Sequence, residues 1–239
     1  MYLDKSTITA IIYWIILIAD CILLSYGLTD YRYFTKCLLI PVLLVLLIMN
    51  TSQVRRTTSR KFMIAALLFS LMGDFFLLNS DDQFFISGLI SFLLAHVAYI
   101  LFFRRILRQT KMEIKLFVIS FFCVVIYAIV VVAVVWPVIE GLRFPVILYS
   151  AILSVMVMFA LQVVNRSSVK QAAFRNFIPA ALFFLFSDSL LAINKFILHE
   201  TFVDVIVMVT YAAAQFLLVT GAVKYITRSK KRKKSGTAE

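Results

Sequence analysis

Two aspartates stand where the sequence has little reason to keep a charge. Asp74 lies in LLFSLMGDFFLL (67–78) and Asp188 in LFFLFSDSLLAI (182–193). Both runs are apolar enough to lie in lipid, where a carboxylate at a helix centre costs about 2.5–3.5 kcal/mol on insertion scales. Two carboxylates at matched depth on different spans are costly unless they share a proton or meet a cation. Such a pair can hold one acid and one anion near neutral pH, the equipment of general acid–base chemistry.

Other polar residues accompany them. Lys195 follows Asp188 by seven residues, on the same helical face and about 10.5 Å nearer the end of the span. Lys36 enters an apolar run from the same side of the membrane. Tyr149 and Ser150 sit at a depth similar to the aspartates. His96 forms a helical stripe with Phe92 and Tyr99, and Tyr211 and Gln215 form another. Each has a plainer reading beside the functional one. Lys36 and Lys195 can bind a phosphate or snorkel to the interface. His96, Tyr99, Tyr211 and Gln215 can serve a site or act as hydrogen-bond glue between helices. Asp20, in the first apolar run, can be bonded to a neighbouring helix.

The elements that must position these groups follow from composition. The chain is 63% hydrophobic and 15% charged, and apolar runs near the length of a membrane span recur throughout its 239 residues. The runs are continuous instead of alternating, which excludes a β-barrel. The expected fold is all-α, a polytopic bundle with spans at 8–27, 33–50, 60–79, 84–103, 115–136, 144–164, 174–198 and 203–226. One transmembrane domain would then cover 1–227, and 228–239 would form a polybasic, disordered cytoplasmic tail. The first apolar run lacks a small-residue cleavage site and is expected to stay as the first span.

Of the 24 Lys and Arg, only Arg32, Lys36, Arg143 and Lys195 fall on one side of this arrangement. That side also holds Asp30, Asp81, Asp82, Glu140, Glu200 and Asp204. The positive-inside rule makes the other side cytoplasmic, with both termini there. The net charge of +12 is thereby a topology signal, and the tail meets anionic lipid instead of nucleic acid. Cys21, Cys37 and Cys123 sit in apolar runs and suggest neither disulfides nor a thiolate metal site. His96 and His199 are too few for a multi-histidine metal site. No phosphate-binding glycine loop, HExxH, CxxC or GxSxG is present.

Several segments together resemble the lysoplasmalogenase, or YhhN-like, family. They are KCLLIP (36–41), FSLMGDFFLL (69–78), FFISGLISFLLAHVAY (84–99), YSAILSVMVMFA (149–160), ALFFLFSDSLLAINKF (181–196) and TYAAAQFLLV (210–219). The resemblance runs from about Lys36 to Val223, and Asp20 lies outside it. It implies an eight-span integral membrane hydrolase that cleaves the vinyl ether bond of lysoplasmalogens, giving a fatty aldehyde and a glycerophospho-alcohol. The family's two intramembrane aspartates match Asp74 and Asp188, and further matched positions are Lys36, His96, Tyr149, Ser187, Lys195, Tyr211 and Gln215. The implied partners are a lysophospholipid substrate and membrane lipid. The implied location is the plasma membrane in a bacterium or the endoplasmic reticulum in a eukaryote.

The chemistry agrees with the residues. A vinyl ether hydrolyses when its β-carbon takes a proton, an oxocarbenium ion forms, water adds, and the hemiacetal collapses. This requires a carboxylic acid and a nearby negative group, the pair glycosidases use for the same cation. It calls for no metal or organic cofactor. A competing class is proton-coupled transport of a small molecule or lipid, since intramembrane carboxylates also mark carriers. A carrier usually breaks its spans at Gly or Pro in corresponding halves, and here the span of Asp188 has no glycine.

Overall fold

The computed structural model describes residues 4–54, 58–79, 81–108, 110 and 112–235. All regular structure among them is helical. The long helices are α1 (Lys5–Ser25), α2 (Thr29–Thr51), α3 (Thr58–Phe76), α4 (Asp82–Leu107), α5 (Ile114–Val135), α6 (Arg143–Gln162), α7 (Ser167–Leu198) and α8 (Thr201–Ser235). Seven are long and apolar enough to cross a membrane. The eighth, α3, carries Arg60, Lys61 and Asp74 within 19 residues, which lowers its hydropathy while leaving its length sufficient. Of the expected tail, 236–239 lie outside the described residues.

Burial is distributed as membrane solvation demands. Ile15, Ile18, Ile119, Phe122, Ile126 and Ile129 are exposed, while Asp20, Asp74, His96, Ser187 and Gln215 are buried. Apolar side chains gain nothing by leaving lipid, whereas polar ones do. The protein is an integral, multi-pass membrane protein. α8 lies at the centre and packs on α1, α2, α3 and α7. α5 is peripheral and packs mainly on α6 and α7. The α3–α4 pair is close because α3 carries Gly73 at the contact. A Cβ there would lie 2.6 Å from the Phe92 ring.

α7 is interrupted twice. Its α-helical core, Ile178–Ile193, is bracketed by π-helical turns at Ala173–Phe177 and Asn194–Leu198. Pro179 stands in the first turn of that core, where its missing N–H costs least. Pro41, by contrast, lies inside α2. At the second π-turn Asn194 holds the chain reversal. Its Nδ2 donates to the Glu200 carbonyl at 3.0 Å and to Asp204 Oδ1 at 2.7 Å, and its Oδ1 accepts from the Glu200 N–H at 2.9 Å. His199 between α7 and α8 adopts φ 57°. These turns fix the height at which α7 and α8 present their polar residues.

Candidate active site

Asp74, near the C-terminus of α3, is 1% exposed. Tyr211 of α8 donates its hydroxyl to Asp74 Oδ2 at 2.7 Å. Lys36 of α2 approaches Oδ1 at 3.9 Å. Behind Tyr211 the hydrogen bonds continue. Gln215 Nε2 donates to Tyr211 Oη at 3.2 Å and to Ser70 Oγ at 2.9 Å, while Gln215 Oε1 accepts from Tyr99 at 2.6 Å. Tyr211 and Gln215 share a face because they are one turn apart, and Ser70 and Asp74 do so on α3. The result ties α3, α4 and α8 together and orients Tyr211 toward its carboxylate.

Asp188, in the core of α7, is served differently. Tyr149 of α6 donates its hydroxyl to Asp188 Oδ2 at 2.7 Å. His96 Nε2 of α4 stands 3.5 Å from the same oxygen. The other imidazole nitrogen, Nδ1, lies 2.7 Å from the Phe92 carbonyl. A carbonyl only accepts, so Nδ1 carries hydrogen and Nε2 is the nitrogen free to exchange a proton. Among the described residues, buried His96 Nε2 makes no hydrogen bond. No hydrogen bond joins Asp74 and Asp188. Phe184 stands between their networks, its ring 5.3 Å from His96 and 5.8 Å from Tyr211.

Two cavities meet at this level. A polar vestibule of about 480 Å³ opens at the end of the bundle and is lined by Arg32, Lys36, Asn79, Lys195 and Asp204, among others. Leu77, Phe85 and Leu191 line both this vestibule and a narrow apolar cavity whose wall includes Tyr149, Ser150 and Asp188. Ser150 in turn also lines a groove of about 650 Å³ between α5 and α6. A cationic vestibule, an apolar cavity with an acid on its wall and a groove facing lipid thus adjoin one another through shared residues, the form of an amphiphile site.

The residues expected from sequence divide between these features. Lys36, Tyr211 and Gln215 surround Asp74, and His96 and Tyr149 surround Asp188. Lys195 lines the vestibule, with its ammonium 5.4 Å from the centre of the Phe85 ring. Ser187 is turned away from both cavities and donates to the Val207 carbonyl at 3.0 Å, which makes it a tie between α7 and α8. Arg32 and Ser70 were given no role by sequence reasoning. Arg32 of α2 holds Asp20 of α1 through Nε to Oδ1 at 3.3 Å and Nη2 to Oδ2 at 3.2 Å. Thr35 adds a hydrogen bond to Oδ1 at 2.7 Å. Arg32 belonged to the small group of cations on the acidic side of the chain, which is the signal that could have marked it. Among the described residues, no three His, Cys, Asp or Glu side chains converge as a metal site would require.

The profile of the YhhN family matches residues 31–222, from the start of α2 to within α8. The chain belongs to the YhhN family. The match covers Asp74, Asp188 and the residues around both, and it excludes Asp20 on α1. The YhhN-family region supplies every lining residue of the apolar cavity and most of the vestibule, to which Leu24, Gly27 and Thr29 add from outside the match. No solved structure matches the chain significantly.

Proposed function

We propose that the chain hydrolyses the vinyl ether bond of a single-chain phospholipid of the lysoplasmalogen class. The observation that carries this reading is that Leu77, Phe85 and Leu191 line both the cationic vestibule and the apolar cavity on whose wall Asp188 lies. The phosphate rests among Arg32, Lys36 and Lys195, and the hydrocarbon chain runs through the apolar cavity toward the groove between α5 and α6. Family membership supports a hydrolase of this kind.

The order of atoms in the substrate then assigns the two carboxylates. Reading from the headgroup, the ether oxygen comes first, then the vinyl α-carbon, then the β-carbon. Asp188, on the apolar side, is the acid. Oδ1 of this residue takes no hydrogen bond from the described residues, and it delivers a proton to the β-carbon. Asp74, which accepts from Tyr211 and pairs with the vestibule residue Lys36, is the negative group that stabilises the oxocarbenium ion. Water adds to the α-carbon and Asp74 takes its proton. The hemiacetal then returns its hydroxyl proton to Asp188 as Asp74 protonates the departing glycerol oxygen. Both carboxyl groups end as they began, and the products are a fatty aldehyde and a glycerophospho-alcohol.

The test is to incubate the purified protein with vinyl ether, ester and alkyl ether lysolipids of one headgroup and to assay free aldehyde and glycerophospho-alcohol. The expected result is equimolar release of both from the vinyl ether alone. Absence of aldehyde, with uptake of the lipid or of protons into proteoliposomes, would favour transport instead.

This reading carries an orientation. The vestibule faces away from the cytoplasm and both termini face it, as the distribution of Lys and Arg implies. In intact cells an impermeant maleimide should label Glu200→Cys and leave Ser52→Cys untouched, and the reverse pattern would invert the site.

A further inference from the structure

A second built cavity lies at the opposite end of the bundle. It has a volume of about 500 Å³ and opens between the first turns of α7 and the last described side chains of α8. Its polar lining among the described residues is Gln171, Arg175, Lys224, Thr227 and Arg228, with no Asp or Glu. The cavity shares none of its walls with the vestibule or the apolar passage.

Its position is fixed by the interior. Lys224 Nζ donates to Asn176 Oδ1 at 3.0 Å, and Asn176 is 3% exposed. Asn176 Nδ2 donates in turn to Thr220 Oγ1 at 2.8 Å. Asn176 lies in the π-helical turn Ala173–Phe177, a distortion that often marks a functional position. α8 approaches this turn so closely that only glycine fits at 221. A Cβ there would stand 2.5 Å from the Phe177 ring and 2.9 Å from Asn176 Cβ. The arrangement spends one ammonium hydrogen of Lys224 on Asn176 and leaves two to point elsewhere. Arg175 and Arg228 are exposed beside it.

We propose that this cavity binds the phosphate group of an anionic phospholipid, at a site separate from the one that receives the substrate. Three cations from two helices surround it, and guanidinium forks match phosphate oxygens in pairs. The described lining holds no carboxylate to receive the ammonium of a zwitterionic headgroup, so the site selects headgroups with net negative charge. The cavity lies at the end of the apolar span Thr201–Arg228, the level at which lipid phosphates lie. Basic pockets between transmembrane helices recognise headgroups in this way.

Native mass spectrometry of the full chain in detergent tests this, with phosphatidylglycerol, phosphatidylcholine and inorganic phosphate as separate additions. The expected result is one saturable phosphatidylglycerol adduct, with weaker retention of phosphatidylcholine. Arg175→Gln and Arg228→Gln should each weaken the adduct by about fivefold, and the double variant by about thirtyfold. Both side chains are exposed, so the variants should elute and melt as the parent does. Displacement of the lipid by millimolar phosphate would identify free phosphate as a ligand of the same site, and its failure would reserve the site for lipid. Equal retention of the two lipids, or an adduct unchanged in the double variant, would overturn the proposal.

Discussion

Asp20 and Asp188 are both intramembrane carboxylates in the half of the bundle that holds the vestibule, yet their surroundings differ in kind. Both oxygens of Asp20 are occupied, by two nitrogens of Arg32 and by the Thr35 hydroxyl, and the residue is 0% exposed. Among the described residues, Asp188 receives one hydroxyl, stands near an imidazole nitrogen that has no hydrogen bond, and forms part of a cavity wall. Asp74 lies between the extremes, with one tyrosine donor and a lysine at 3.9 Å. Burial alone does not mark a functional carboxylate. The balance of donors does, because a fully paired anion has no proton to give and no lone pair to spare.

The comparison can be broken most decisively at the unsaturated carboxylates. Asp188→Asn and Asp74→Asn should each lower turnover by about 100-fold or more, the usual loss on removing general acid–base catalysis. Neither should prevent folding, since an amide is cheaper to bury than a carboxylate. Steady-state aldehyde release, alongside thermal melting, checks both statements.

A smaller effect is expected one bond away. Tyr149→Phe removes the only hydroxyl that holds Asp188 among the described residues and should cost about tenfold in kcat, the value of one hydrogen bond to a charged group. The lysines should then separate. Lys195→Met should raise KM several-fold with little change in kcat, whereas Lys36→Met should alter both, because Lys36 also faces Asp74. Unchanged kinetics in both lysine variants would return them to the role of snorkelling residues.

Asp20→Asn should have the smallest effect on turnover, within about threefold. Its cost should appear in stability, at up to about 3 kcal/mol, because Arg32 would lose its anion. The access of Arg32 to the vestibule limits that loss. An inactive but stable Asp20→Asn protein would move the chemistry to a different pair of carboxylates.

Much of this was legible in the sequence because membrane helices declare themselves by length. The expected span 33–50 is the inner part of Thr29–Thr51, and 84–103 lies within Asp82–Leu107. Asp74 and Asp188 stood out because lipid makes a carboxylate expensive. The residues around them were accessible through helical spacing, as with Tyr211 and Gln215. What could not be read were contacts that depend on helix rotation. Ser187 is adjacent to Asp188 in sequence, yet it points to α8. The Asp20–Arg32 pair spans the turn between α1 and α2, so neither residue announces the other. The π-turns of α7 have no sequence rule, and Lys195 lies within the one at Asn194–Leu198. Nor did spacing show that an aromatic ring, Phe184, would stand between the two carboxylate networks.

The central claim is that a carboxylic acid in the apolar cavity protonates the vinyl β-carbon from one side. Turnover in deuterium oxide, with immediate reduction of the aldehyde to block exchange, reads that step directly. The account predicts a single deuterium at the carbon next to the former aldehyde carbon, in one configuration, with formation of this product slowed about 100-fold by Asp188→Asn. Deuterium in equal amounts of both configurations, or a folded Asp188→Asn protein that forms the product at the parental rate, would contradict it.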